Sequence, residues 1–248
     1  MDILKSILVW LIGITFIIIF FPVTFLIWFI ALPFDRNRTV VHSMLVFQSL
    51  LVSHIIPVWS LRIEGRDKAV KGTTYVIISN HQSILDILLI NCLRYRFRWV
   101  SKIENSKLPL IGWYLKMADY LTVDRRNKKS KGKLIEEALD CLKRRNISIM
   151  LFPEGTRSAD GQIGFFKRGA FQLAIQAEKP ILPVIIDGSG GVLPKHSLVF
   201  GRFHKIVVRV LDPVPPERFG TKDWDALALK FQTMMTEELR KLREENTS

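Results

Sequence analysis

Polarity divides the chain into two unlike parts. No charged side chain interrupts the 28 residues 7–34. As one helix that stretch would be about 42 Å long, more than the ~30 Å hydrocarbon core of a bilayer. Pro22 lies in its middle, where a proline removes a backbone donor and can kink or break a helix. Arg36 and Arg38 follow at once, and a second apolar run, residues 40–58, carries Ser43, Gln48, Ser49, Ser53 and His54 and reads as amphipathic. The expectation for residues 1–57 is a membrane-anchoring helical region. It is either a single tilted span or a shallow hairpin that enters and leaves one leaflet. A two-span hairpin would leave Arg36 and Arg38 outside, against the preference of basic residues for the cytoplasmic side. No small-residue cleavage site follows an apolar stretch of signal length, so a removed signal is not expected.

Beyond residue 58 the pattern alternates. Strands are expected at 58–65, 74–79, 96–101, 147–152, 181–186 and 205–211, and a short helix at 84–93. Residues 106–126 are turn-rich with a helical middle. A stripe of Leu134, Ile135, Ala138, Leu139 and Leu142 predicts a helix over 132–145, and another helix spans 165–179, stopped by Pro180. A last helix, 223–244, places Trp224, Leu227, Phe231, Met234 and Leu242 on one face, which reads as core packing. Strands separated by helices imply βαβ units. Residues 58–248 are therefore expected to form one α/β domain, a mixed, largely parallel sheet flanked by helices. Sites in such sheets form beyond the carboxyl ends of the strands. Two expected strand ends are rich in polar residues there: 74–79 leads into Asn-His-Gln-Ser-Ile-Leu-Asp (80–86), and 147–152 leads into Pro-Glu-Gly-Thr-Arg-Ser (153–158).

Charge narrows the partners. The 248 residues include 36 Lys and Arg against 23 Asp and Glu, a formal net charge of +13, which favours nucleic acid, anionic lipid or phosphorylated substrates. A hydrophobic share of 48% is near the globular average, so composition alone does not indicate a polytopic membrane protein. The two cysteines, Cys92 and Cys141, make no metal or redox spacing and suit a reducing compartment. The basic run 125–131 lacks interleaved aromatics and any nucleic-acid motif, so it reads as a solvated or headgroup-facing loop, and no nucleic-acid partner is expected.

The chemistry sits in the two polar loops. Ser83-x-x-Asp86 has the spacing of a capping box, which explains both residues structurally. His81 has no such explanation. It falls just before the cap, with its ring free to turn toward Asp86. A carboxylate on one ring nitrogen fixes the tautomer and leaves the other nitrogen as a general base. No Gly-x-Ser-x-Gly elbow exists, because Asp187 stands two residues before Ser189, and both cysteines lie in helical stripes. The base would then act on a substrate hydroxyl or on water. In the second loop Pro153 and Gly155 enforce a turn and Arg157 offers a planar fork to a phosphate or carboxylate. Glu154 would orient that arginine or bind a hydroxyl. The competing reading is a surface turn with an ion pair. Lys102 and Arg125 are either solvated charges or further phosphate ligands. There is no P-loop, no Gly-x-Gly-x-x-Gly and no His-Glu-x-x-His, and His42, His54, His81, His196 and His204 show no zinc spacing. No metal and no cofactor is expected.

These residues resemble the glycerolipid acyltransferases. Residues 80–86 look like the NHx4D motif of that family and residues 152–157 like its FPEGTR motif. Residues 102–125 are similar to its second block, with a Lys near the start, a Pro-x-x-Gly-Trp step and a closing Asp-Arg, and residues 181–186 resemble its proline-containing fourth block. The four lie in order between about residues 60 and 215, nearest to 1-acylglycerol-3-phosphate acyltransferases of bacterial size. Ala118 stands where a glycine is common. The resemblance implies that His81 deprotonates the free hydroxyl of a lysophosphatidic acid while Asp86 orients it. It implies a thioester donor, acyl-CoA or acyl carrier protein. It implies that Arg157, Lys102 and Arg125 hold the acceptor phosphate, with Glu154 and Gly155 in the same binding loop. Membrane lipids are implied as partners, with the catalytic domain on the cytoplasmic face. Glycerol 3-phosphate or another lysophospholipid is the alternative acceptor.

Overall fold

The structure, a computed structural model, describes residues 3–247. Two long helices open it, α1 (Ile3–Ala31) and α2 (Thr39–Ile55). Then follow β1 (Trp59–Glu64), β2 (Val76–Ser79), α3 (Asp86–Asn91), β3 (Phe97–Lys102), α4 (Ile111–Met117) and β4 (Leu121–Val123). The rest is α5 (Lys128–Lys143), β5 (Ser148–Leu151), α6 (Gly169–Ala177), β6 (Ile181–Asp187), α7 (Ser189–Val192), β7 (His204–Val210) and α8 (Trp224–Thr247). The seven strands form one sheet in the order β1-β7-β6-β2-β5-β3-β4. Every neighbouring pair is parallel except β6 and β7. The α/β class and the mixed, largely parallel sheet are as the alternating pattern predicts. Three differences are local. β4 was hidden in a turn-rich stretch, and its three residues pair Leu121 with Val100 and Val123 with Lys102. The basic run is not a loop, since α5 begins at Lys128. The helix expected from residue 165 starts only at Gly169.

Two layers of side chains explain why β2 reads as an unbroken apolar run. Val76 and Ile78 pack on one face, with Ala138 and Leu142 of α5, Phe171 and Ala174 of α6, and Phe231 of α8. Tyr75 and Ile77 point to the other face, against Leu89 and Leu93 near α3 and Phe97 and Trp99 of β3. A strand buried on both faces needs no polar alternation. On α8 the buried positions are Leu227, Phe231, Met235, Leu239 and Leu242. Met235, not the partly buried Met234, continues the core stripe.

The helical hairpin is fastened to the sheet at both ends. Helix α1 runs unbroken through Pro22. Two residues on, the buried Thr24 hydroxyl donates to the Phe20 carbonyl at 2.9 Å and accepts from Gln48 Nε2 of α2 at 2.7 Å. In the connecting turn the Asp35 carboxylate accepts from Thr39 and Val40 N–H at 2.9 and 2.8 Å, capping α2. Arg98 of β3, only 2% exposed, donates to the carbonyls of Ala118 at 2.6 Å and Asn37 at 3.0 Å and pairs with Asp119 at 3.0 Å. Arg145 donates to the Arg36 carbonyl at 3.2 Å and pairs with Asp119 at 3.1 Å. At the other end of α1, Trp10 Nε1 donates to the Leu198 carbonyl at 2.8 Å, and Phe200 N–H donates to Ser6 Oγ at 3.0 Å. Between these ties Leu8, Leu11, Ile14, Ile18, Ile19, Leu26 and Phe29 stay exposed.

Arg98→Ala should lower stability by about 2–4 kcal/mol, since it removes the donors of several carbonyls and leaves a void in the core. Thermal melts in detergent would measure the loss, and proteolysis within residues 32–38 should speed up. Unchanged melting with unchanged cleavage would refute this role for Arg98.

Candidate active site

Because β2 and β5 are adjacent and parallel, with Val76 beside Ile149 and Ile78 beside Leu151, the loops that follow them emerge at one edge. The first loop is then tied down by its own polar side chains. Asn80 extends the sheet toward β6: its Nδ2 donates to the Ile186 carbonyl and its Oδ1 accepts from Ile186 N–H, each at 2.8 Å. Gln82 Nε2 donates to the same carbonyl at 3.1 Å, and Ser83 Oγ donates to the Leu193 carbonyl at 2.8 Å.

Asp86 organises what remains of that loop. Its side chain is 0% exposed, and its Oδ2 accepts from Gln82 N–H at 2.7 Å, Ser83 N–H at 2.9 Å and His81 Nδ1 at 2.8 Å. The expected capping box is half formed. The carboxylate reaches back, but the Asp86 N–H goes to the Ser83 carbonyl and not to its hydroxyl. Since Asp86 only accepts when ionised, Nδ1 carries the proton and Nε2 keeps its lone pair. The imidazole also stacks flat on Phe152, with centroids 3.9 Å apart and 6° between planes. Its side chain is 16% exposed. The ring is thus fixed in tautomer and in plane, with one basic nitrogen left to act.

Glu154 takes a different part from either of those expected of it. It is 6% exposed, its Oε1 accepts from His81 N–H at 2.9 Å, and its Oε2 accepts from Gly164 N–H at 2.9 Å. Burial pushes this carboxyl up, and the two backbone donors pull it back. Among the described residues it makes no bond to Arg157, and its two oxygens tie the two loops together. That tie holds residues 164–168 out of the helix and explains the late start of α6. The Ser158 N–H donates to the His81 carbonyl at 2.7 Å and closes the same junction.

The cations expected here do converge. Arg157, Lys102 and Arg125 line one cleft with His81. Among the described residues the Arg157 side chain has no hydrogen bond or ion pair, while Lys102 is 3.9 Å from Glu104. Arg125 donates through Nη1 to the Gly155 carbonyl, bracing the second loop. Gly155 has φ 69°, where a side chain would be strained, and Lys167 Nζ lies 2.7 Å from where its Cβ would sit. Phe152 and Lys167 were not among the expected site residues. Phe152 closes a strand-like run, where an aromatic is ordinary, and Lys167 arrives through the Glu154–Gly164 tie, which no local pattern signals.

The cleft encloses about 1520 Å³. Ile17, Leu45, Ile84, Ile87 and Leu115 line it beside His81, together with Lys and Arg side chains and with further apolar side chains of α5. Cys92 and Cys141 are free and buried, burial raises both thiols, and neither lines the cleft. Ser189 is likewise buried outside it. Among the described residues no three His, Cys, Asp or Glu side chains are placed to hold a metal ion.

Comparison with known proteins agrees with this geometry. Residues 60–187 match the family described as Acyltransferase. A chloroplastic 1-acyl-sn-glycerol-3-phosphate acyltransferase of Brassica napus is 33% identical over 167 residues, 67% of this chain and 48% of that protein. The alpha form from Homo sapiens is 31% identical over 210 residues, 84% of this chain and 73% of its own. This chain thus spans about half the length of the chloroplastic relative. The crystal structure of the 1-acyl-sn-glycerophosphate acyltransferase of Thermotoga maritima matches 98% of this chain and 96% of its own with a TM-score of 0.83, at 23% identity, and shows the same fold.

Glu154→Gln replaces one acceptor oxygen by an amide that meets a backbone N–H. If Glu154 acts through His81, turnover should fall on the order of tenfold, the size of one lost charge-assisted hydrogen bond, with little change in acceptor KM. Steady-state kinetics of the variant decide it: a large rise in acceptor KM at unchanged kcat would mean that Glu154 touches the substrate.

Proposed function

The chain belongs to the Acyltransferase family, and from that premise we propose that it transfers an acyl group from a thioester donor to the free hydroxyl of 1-acylglycerol 3-phosphate, giving phosphatidic acid. The observation that carries this reading is the cleft, which lines the His81 imidazole with both apolar and cationic side chains. An acceptor with a chain at one end and a phosphate at the other meets both. Glycerol 3-phosphate would leave the apolar lining without a partner, which disfavours it as acceptor.

On this reading the acceptor hydroxyl gives its proton to His81 Nε2 as its oxygen attacks the thioester carbonyl. Asp86, hydrogen-bonded to Nδ1, stabilises the imidazolium. The C–O bond forms, the C–S bond breaks, and the thiolate takes the proton from Nε2, which regenerates the neutral ring. No enzyme nucleophile takes part, so both substrates must be bound together. Arg157, Lys102 and Lys167 hold the phosphate, while Arg125 fixes the loop beneath it. The donor is acyl-CoA or acyl carrier protein.

Residues 1–57 serve as the membrane anchor and residues 58–248 as the acyltransferase domain. Helix α1 spans 29 residues with mean hydropathy 2.6 in its most apolar window. Its first turns and the turn that follows it, at residues 36–37, are hydrogen-bonded to the same α/β body. Ties to one body at its start and in the turn after it favour a helix that does not cross from one membrane face to the other. We read it as lying in one leaflet with its exposed apolar face toward lipid, the basic body on the cytoplasmic face against anionic headgroups.

An acceptor panel tests the reaction. The purified protein, given a labelled acyl donor, should acylate lysophosphatidic acid well and monoacylglycerol poorly. His81→Ala should lower transfer by about 10²–10⁴-fold, the usual contribution of general-base catalysis. Mass spectrometry after incubation with donor alone should find no acyl adduct on the protein. A stable adduct, or a His81→Ala variant near wild-type rate, would overturn the mechanism. A second experiment tests the anchor: single cysteines placed at Leu4 and at Pro33, modified in sealed vesicles by an impermeant reagent, should both react from the side that carries the domain. Reaction from opposite sides would show a span.

A further inference from the structure

The acceptor uses only part of the cleft. Eight lysines and arginines line it against two carboxylates, Glu136 and Asp225. A phosphate monoester brings at most about two negative charges at neutral pH, which three or four of those cations satisfy. The volume of about 1520 Å³ also exceeds the roughly 300–1,000 Å³ of a pocket built for one small ligand. Part of the lining comes from outside the helical hairpin. There the wall comes from α5 and α6, with Lys128, Lys131, Gln172 and Gln176.

These residues belong to the basic run that a solvated loop would have explained. The loop is instead the start of a helix, and its lysines are sorted. Lys128 and Lys131 line the cleft and, among the described residues, form no ion pair. Lys133 lies outside the cleft and pairs with Glu137 at 3.5 Å. Opposite them, Gln172 and Gln176 stand one turn apart on α6, so their amides follow the same groove. Side-chain amides offer both donor and acceptor, which matches a ligand that carries amides of its own.

We propose that the groove between α5 and α6 receives the carrier end of a coenzyme A thioester, with Lys128 and Lys131 holding its nucleotide phosphates and Gln172 and Gln176 the two amides of its pantetheine arm. This rests on the acyltransferase reading and adds the donor's binding site to it. The acceptor enters from the hairpin side and the donor from the α5–α6 side, and they meet at His81. The thiol of the coenzyme leaves by the groove through which the thioester came. An acyl carrier protein shares the pantetheine arm but has no nucleotide, so the lysines distinguish the two.

The experiment compares three donors of one acyl chain, acyl-CoA, S-acyl pantetheine and acyl carrier protein, in the wild type, in Lys128→Ala/Lys131→Ala and in Lys133→Ala. The double variant should raise the KM for acyl-CoA by about tenfold, as expected for two partly exposed charge-assisted contacts. Its KM values for S-acyl pantetheine and for lysophosphatidic acid should not move, and Lys133→Ala should match the wild type throughout. Isothermal titration with free coenzyme A should show binding that the double variant weakens. An equal loss with S-acyl pantetheine, a loss confined to acyl carrier protein, or an unchanged coenzyme A titration would each overturn the assignment. If no donor supports transfer in the wild type, the acyltransferase reading fails, whereas the titration still reports on the groove itself.

Discussion

One buried carboxylate joins the two halves of the site. Glu154 leaves water to accept hydrogen bonds from the backbones of His81 and Gly164. Desolvating a carboxylate costs several kcal/mol unless donors replace the lost water. Two charge-assisted bonds, each worth about 1.5–3 kcal/mol, offset much of that. The bond to His81 sets where the loop after β2 lies relative to the loop after β5. The bond to Gly164 holds the chain extended, brings Lys167 beside Gly155 and delays α6 until Gly169. Geometry that a hydroxyl-binding glutamate would leave loose is fixed here before any substrate arrives, which is the form of preorganisation that proton transfer needs.

Asp86 does for the ring what Glu154 does for the backbone. One oxygen gathers two N–H groups and the imidazole. Phe152 then restricts the ring to one plane. The other oxygen, Oδ1, is buried with no partner among the described residues. A charge with one unsatisfied oxygen favours any process that places positive charge nearby, and protonation of His81 during transfer is such a process. The residues that chemistry needs are thus few, while many more serve to hold them. Asn80, Gln82 and Ser83 bond the loop to β6 and to the chain around α7 without facing the reaction.

The hairpin and the sheet form one working unit. Ile17 and Leu45 line the same cleft as His81, so the two N-terminal helices also supply part of the apolar wall of the site. Under the proposed function, an amphiphilic acceptor would pass from bilayer to cleft without crossing water. The arginine clamps at residues 36–37 and the Trp10 and Ser6 contacts keep that wall in register with the catalytic loop. A freely tethered anchor would hold the domain near the membrane but would not align a passage.

Much of this was legible in the residues alone. The unbroken run of β2, the stripe of α8 and the spacing of His81 and Asp86 are signals between near neighbours, and short-range physics sets them: side-chain period, helix caps, turn residues. The sheet's class followed from the order of those elements. Tertiary structure decided what depends on partners distant in sequence. The three residues of β4 are too short to show a period, and they became a strand because β3 offered free backbone groups beside them. Lys128 and Lys131 could not be told from Lys133 until helix α5 turned two of them toward the cleft. Glu154 looked like a ligand for substrate because its partners, 73 and 10 positions away, are backbone N–H groups that every residue but proline carries, and a donor common to nearly all residues leaves no mark in a sequence.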